Sequence, residues 1–135
     1  MKYAALILSA VLLQGCAGSP LSNLVMNQRY QTTSDVTASW VGASEDDLYM
    51  SWGPPQSSQV LSNGRAKIVS YGYAWVTNTS DSTTWNYVPE YSRCDQRFLV
   101  EDHIITRWFS SGGCPKRPKG AKLIPGDTPI PKPTL

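Results

Sequence analysis

The stretch of sequence that decides the fold is residues 93–114, RCDQRFLVEDHIITRWFSSGGC. Two runs rich in branched and aromatic residues flank a polar Glu-Asp-His triplet centred on Asp102. This pattern predicts a β-hairpin. The two strands are predicted over residues 93–100 and 104–109. Across that hairpin Cys94 faces Ser111, and the flexible SSGG segment is able to bring Cys114 back toward Cys94.

A second hairpin is predicted upstream, between strands at residues 56–61 and 68–76. Asn63-Gly64 separates them, and this dipeptide favours a type I′ turn because both central residues need positive φ. Along the second strand, large side chains alternate with small ones, which places the large ones on a single face. The large side chains are Val69, Tyr71, Tyr73 and Trp75.

A short helix is predicted before the hairpins. Ser44 is a good N-cap, and the acidic residues 45–47 follow in the first turn, where the helix dipole favours negative charge. Gly53 and the two prolines after it end the helix. We interpret the acidic trio as capping rather than as a metal or catalytic site. The predicted fold class is therefore α+β, a short N-terminal helix packed on a three- to four-stranded antiparallel sheet.

The first residues predict export and lipidation. Lys2 precedes an apolar run that is typical of a secretory signal and shorter than the roughly twenty residues of a membrane-spanning helix. The sequence Leu13-Gln14-Gly15-Cys16 resembles a bacterial lipobox, which implies cleavage before Cys16 and a covalent diacylglycerol and N-acyl chain on it. Ala17 after the cysteine implies the periplasmic face of the outer membrane. The alternatives are an ordinary signal with a free cysteine, or a buried apolar helix.

The remaining cysteines, Cys94 and Cys114, are predicted to form a disulfide. An exported chain occupies an oxidising compartment, where an even pair usually bridges. The alternatives are two free thiols or half of a metal site, and a single histidine with no Cys-x-x-Cys disfavours metal. A loop of this length would contribute about 3 kcal/mol to stability.

The chain divides into four predicted segments. These are a signal peptide at 1–15, a polar tether at 16–39, the α+β domain at 40–114 and a basic tail at 115–135. The tail is rich in proline and is predicted to be disordered or polyproline-like. For the tether, the alternative is that part of it packs on the domain. For the tail, two possibilities stay open: it contacts peptidoglycan, or it is a solvated segment without a partner.

Composition and motifs give no indication of catalysis. The net charge of +2 argues against nucleic acid as a partner. The one histidine, His103, lies at a predicted turn that is poorly suited to hold a general base. No serine has the context of a nucleophile, and the acidic residues lie at a helix start and a turn. We therefore predict no enzyme activity, no metal and no cofactor. The alternative is that two carboxylates meet in space and hydrolyse a glycan.

The polar loop after residue 77 carries three aromatic residues, Trp85, Tyr87 and Tyr91. Exposed tyrosine and tryptophan are enriched where proteins anchor partners. These three residues form the candidate binding surface. The alternative is that the loop folds over the sheet as a lid.

Residues 40–114 resemble the SmpA/OmlA (BamE-like) family of small outer-membrane lipoproteins. The matching elements are the lipobox, a helix ending in Gly53-x-Pro55, a hairpin with Gly64 and Tyr71-x-Tyr73, and a hairpin ending in Gly113-Cys114. The family has two helices before its sheet, of which one is legible here. The resemblance implies an α+β fold with an antiparallel sheet, and scaffolding rather than chemistry.

The predicted function is a non-catalytic, lipid-anchored protein of the cell envelope that binds or stabilises another envelope protein or complex. One alternative is a periplasmic inhibitor of a basic enzyme such as lysozyme, since the body of the chain is mildly acidic. Another is a linker whose basic tail contacts peptidoglycan.

Overall fold

The structure, a computed structural model, describes residue 21 and residues 25–78 and 89–135. Cys16, Trp85 and Tyr87 lie outside the described residues, so the lipidation site and two members of the candidate binding surface stay predictions. Within the described portion, every helix is too short or too polar to cross a membrane.

The described residues include six strands and two complete helices. In chain order they are β1 Gln28–Tyr30, α1 Thr33–Ala38, α2 Glu45–Trp52, β2 Ser57–Val60, β3 Ala66–Asn78, β4 Glu90–Glu101, β5 Ile104–Ser110 and β6 Leu123–Pro125. β1 pairs with β6, and the other four strands form an antiparallel sheet in the order β2-β3-β4-β5. The predicted α+β class and the four-stranded antiparallel sheet are confirmed.

The predicted helix, α2, has the ends that its sequence indicates. The backbone N–H of Asp47 donates to Oγ of the N-cap Ser44 at 3.1 Å. Gly53 follows the last turn with φ of 83°, a conformation that costs a residue with a side chain more than it costs glycine. Local signals alone therefore placed this element correctly.

A further helix, α1, lies within the residues predicted to be tether. Thr32 and Asp35 form a reciprocal capping box at its start. Thr37 is fully buried, and its hydroxyl donates to the backbone oxygen of Thr33 at 2.7 Å. Polar composition suggested a solvated segment, but threonine hydroxyls whose hydrogen bonds are satisfied internally can be buried. Residues 33–38 thus pack on the domain, the alternative that the sequence left open.

The β4–β5 hairpin has the predicted turn. Glu101 pairs with Ile104, and Asp102 and His103 both have positive φ, 49° and 66°. A bulge near Val100 then shifts the register by one residue.

Farther along that hairpin, the shift changes which residue faces Ser111. The N–H of Ser111 donates to the backbone oxygen of Asp95, rather than facing Cys94. The disulfide Cys94–Cys114 is nevertheless present, as predicted. The flexible segment before Cys114 accommodates the extra residue.

The β2–β3 hairpin is present, but its type I′ turn at Asn63-Gly64 was a wrong prediction. Gly64 has positive φ and Asn63 does not. A four-residue loop is closed instead by the N–H of Leu61 donating to the oxygen of Ala66 at 2.8 Å. Asn63 Oδ1 accepts from the N–H groups of Arg65 and Ala66, each at 3.1 Å, so its side chain organises the loop.

The hydrophobic core lies between the helices and one face of the sheet. Trp52 at the end of α2 makes edge-to-face contacts with Trp40, Tyr71 and Phe98, at centroid distances of 5.9, 5.3 and 5.6 Å. The aromatic side chains thus interlock the helix with β3 and β4. The buried core residues are Leu48, Val69, Phe98, Val100, Ile105 and Trp108.

Part of the proline-rich tail forms a strand, where the sequence predicted a disordered or polyproline-like chain. Its residues Leu123–Pro125 form β6, which pairs with β1 in a small unit of its own. Pro125 lacks a backbone donor, but a proline is tolerated at an edge of a sheet. In the larger unit, Gln31–Ala121 with Ile130–Leu135, the N–H groups of Thr134 and Leu135 both donate to the oxygen of Trp108 at 3.0 Å.

Candidate functional site

A groove opens on the helix-bearing face of the four-stranded sheet. Its volume is ≈ 390 Å³. Side chains from α1, α2, β3 and β4 line it, together with a lysine that follows the disulfide. The lining residues that matter are Val36, Trp52, Tyr71, Tyr73, Gln96 and Lys119.

The wall of the groove is aromatic. Tyr71 packs edge-to-face on Trp52, and its hydroxyl donates to the backbone oxygen of Gly53 at 2.9 Å. Burial raises the pKa of Tyr71 to about 12, so this hydroxyl stays protonated and holds its hydrogen bond at neutral pH. Tyr73, two residues along the same strand, is 45% exposed and packs 5.4 Å from Trp75. The wall therefore begins in the core and ends at the surface.

The floor of the groove holds an amide with an unused acceptor. Gln96 is only 7% exposed, and its Nε2 donates to the hydroxyl of Thr37 at 2.6 Å. Among the described residues, nothing donates to Oε1 of Gln96. Leaving a buried acceptor without a donor costs about 1–3 kcal/mol. An N–H or O–H group of a molecule in the groove would recover that hydrogen bond.

Beyond the groove, the β3–β4 ribbon presents further apolar side chains. Tyr91 pairs with Val76 across the ribbon, and the two side chains are 67% and 43% exposed. Tyr91 thus lies in β4 and not in the polar loop where the sequence placed it. Its side chain is exposed, which is what we expect of a binding residue. Trp85 and Tyr87 lie outside the described residues.

A second cluster of polar residues surrounds Glu45 at the start of α2. The Glu45 side chain is 4% exposed, and Oε2 lies 2.5 Å from Nζ of Lys67. Oε1 lies 2.5 Å from Nδ1 of His103, and the hydroxyl of Tyr49 donates to Oε2 at 3.1 Å. The cluster connects α2, β3 and the β4–β5 turn, and it lines a cleft of ≈ 420 Å³.

The charges of this cluster stabilise one another. Burial opposes ionisation of Glu45, but the hydrogen bonds from Lys67, His103 and Tyr49 outweigh it and lower the pKa of Glu45. The hydrogen bond to Glu45 in turn raises the pKa of Lys67. The ionised Glu45 carboxylate therefore has a structural role, because its three partners tie α2 to β3 and to the β4–β5 turn. The interpretation of Glu45 as a helix-capping residue did not include this role. No signal in the sequence connects positions 45, 67 and 103.

Within the ranges that the structure describes, His103 is the most exposed member of this cluster. The His103 side chain is 83% exposed and hydrogen-bonds to Glu45, while no described hydroxyl or thiol hydrogen-bonds to its ring. No group of three or more histidine, cysteine or acidic side chains is arranged to hold a metal ion in those ranges. The groove, with its unused acceptor, is thus the better candidate for a functional site.

Comparison of the chain with protein-family models, with curated protein sequences and with solved structures gives no match.

Proposed function

We propose that this chain is a non-catalytic lipoprotein of the outer membrane, anchored by acyl chains on Cys16 and facing the periplasm, that binds another protein of the envelope. The observation that carries the proposal is the aromatic groove. Its wall runs from the half-buried Trp52 to the exposed Tyr73, and its floor offers the buried acceptor of Gln96. Apolar concave surfaces with a few fixed polar groups are typical binding sites.

Two features support the location. The lipobox at residues 13–16 follows a short apolar run, which is the layout of a lipoprotein signal. The disulfide Cys94–Cys114 fits a protein that folds in an oxidising compartment. The resemblance to the SmpA/OmlA family agrees with both features.

The two alternative functions have less support. Periplasmic lysozyme inhibitors are expected to be all-β, whereas α1 and α2 both pack on this sheet. A linker to peptidoglycan needs a free, extended tail, whereas Leu123–Pro125 form a strand and residues 134 and 135 hydrogen-bond to β5.

Photo-crosslinking in intact cells tests the proposal. A photoreactive amino acid replaces Tyr73 at the mouth of the groove or Tyr91 on the ribbon, and Met50, which is exposed on α2, is the matched control. We expect one envelope protein to be captured from positions 73 and 91 and not from 50. Recovery of only lipid and abundant unrelated proteins from all three positions would refute it.

The anchor is tested separately. Mass spectrometry of the mature protein should find diacylglycerol and an N-acyl chain on Cys16 as its first residue, and Cys16→Ser should release the protein from the membrane fraction. An unmodified Cys16, or a retained leader, would remove the basis for the proposed location.

A further inference from the structure

β3 is much longer than the strand that covers one of its edges. β3 runs from Ala66 to Asn78, but β2 pairs only with Lys67–Ser70. On its other edge, β4 pairs with β3 from Ala66 to Asn78. Within the ranges that the structure describes, β3 therefore has an edge beyond Ser70 that no strand covers.

The hydrogen bonds at the end of β2 show which backbone groups point to that edge. The oxygens of Ala66 and Ser70 accept from the N–H groups of Leu61 and Gln56, both on the β2 side. Because successive residues of a strand point their backbone groups to opposite sides, Gly72, Ala74 and Val76 point the same way as Ser70. Their N–H and C=O groups thus line the uncovered edge, next to the groove.

A side chain already stands in for the missing strand at one point. Nε2 of Gln56 donates to the backbone oxygen of Gly72 at 2.6 Å, as a backbone N–H of a longer β2 would do. Beyond Gly72, the described residues supply no such substitute for Ala74 or Val76. As far as residues 25–78 and 89–135 show, the edge is thus capped where β2 stops and uncovered farther along.

The two faces of this edge differ in the side chains they would accept. On one face lies the groove, with Tyr71, Tyr73 and the unused acceptor of Gln96. On the other lies a smaller cleft of ≈ 160 Å³, lined in part by Ala74 and Arg93. Alternate side chains of an added strand would enter these two spaces in turn.

We infer that the edge of β3 at residues 72–76 receives an extended segment of a partner protein, which adds to the sheet as a fifth strand. One side chain of that segment, apolar and carrying an N–H or O–H donor as tyrosine and tryptophan do, fills the groove and donates to Oε1 of Gln96. Backbone pairing requires a polypeptide, which a glycan in the groove would not supply. This inference rests on the proposed function and specifies the form in which the partner binds.

The test uses peptides selected on the folded chain from a displayed library of random sequences about nine residues long. Ala74→Pro removes a backbone donor from the uncovered edge while leaving the β3–β4 hydrogen bonds in place. Ser58→Pro is the matched control, because its N–H points to the outer edge of β2. We expect Ala74→Pro to weaken the best peptide by about tenfold or more and Ser58→Pro to change it by less than about twofold.

Amide hydrogen exchange on the unmodified protein makes the test independent of whether the proline variants fold. Bound peptide should protect the amides of Ala74 and Val76 and leave those of Ser58 and Val60 unchanged. Two N-methylated forms of the best peptide extend this test, one methylated at its odd-numbered nitrogens and one at its even-numbered nitrogens. The form that loses the N–H groups facing β3 should not bind, and the other form should still bind.

Three results would overturn the inference: protection of the β2 amides instead, failure to select any peptide, or binding of soluble peptidoglycan fragments alone. Its failure is distinguishable from that of the proposed function. If Tyr73 still captures an envelope protein in cells while Ala74→Pro changes nothing, the inference fails and the function stands. If no envelope protein is captured, the proposed function fails.

Discussion

Replacing Lys67 by methionine would leave the buried carboxylate of Glu45 without its nearest cation. The Glu45 side chain is 4% exposed and the Lys67 side chain 29%. Removing one partner of a buried ion pair costs about 3–5 kcal/mol. We expect Lys67→Met to lower the free energy of unfolding by about 2–3 kcal/mol, below that range, because His103 and Tyr49 still hydrogen-bond to Glu45. Methionine keeps the length and apolar character of the stem, so the loss reports the charge.

The loss should depend on pH in a definite direction. Burial opposes ionisation of Glu45, and the hydrogen bonds from Lys67, His103 and Tyr49 more than compensate, so the pKa in the folded protein lies below its ordinary value. Stabilisation from such a group is fully present above its pKa in the unfolded chain, about 4.3, and is lost as pH falls through the folded pKa. The difference between the unmodified protein and Lys67→Met should therefore be largest near neutral pH and shrink below about pH 4.

Urea denaturation followed by tryptophan fluorescence measures this, since Trp52 and Trp108 lie in or against the core. Lys116→Met removes an exposed lysine and serves as the control, with an expected change below about 0.5 kcal/mol. A loss for Lys67→Met of less than about 1 kcal/mol at neutral pH, or one that does not vary with pH, would refute the reasoning, because either result is typical of an exposed ion pair.

Three further changes test the fold. Replacing Cys94 and Cys114 together by serine should lower the unfolding free energy by about 3 kcal/mol, given the 20-residue separation; a double variant unaffected in urea would contradict this. Gly113→Ala should cost about 1–3 kcal/mol in the same assay, because its Cβ would lie 2.5 Å from a backbone oxygen of β4. Gly112→Ala is the control, because a Cβ at Gly112 would meet no atom within 4 Å. Equal losses of stability at the two glycines would contradict the proposed clash at Gly113. Leu48→Ala should cost about 2–5 kcal/mol and lower the thermal midpoint, and an unchanged midpoint would mean that α2 does not pack on the sheet as described.

Elements specified by adjacent residues could be predicted from the sequence. The helix from Glu45 to Trp52 has its N-cap and its terminating glycine within reach, and the β4–β5 turn follows from the polar residues around Asp102. The disulfide follows from counting cysteines and from the position of the hairpin. In each case the determining interaction is local, or few alternatives compete with it.

Features that depend on distant residues could not be predicted. The bulge near Val100 changes the hairpin register by one, and no residue type marks it. Helix α1 is polar and only six residues long, so it has no apolar periodicity to detect. The hydroxyl of Thr37 can be buried because Gln96 donates to it from β4, which is distant in sequence. The candidate groove likewise exists only where α1, α2 and β3 meet.

The Cys94–Cys114 bond also sets the route by which mechanical load enters the domain. β5 is the last strand in the sheet order, so tension on the chain that follows it would otherwise unzip its hydrogen bonds to β4 one after another. The covalent link passes that tension directly to β4, which has neighbours on both sides. The oxidised domain should therefore yield by shearing its central strands, at high force, and the reduced domain by peeling from its margin at low force.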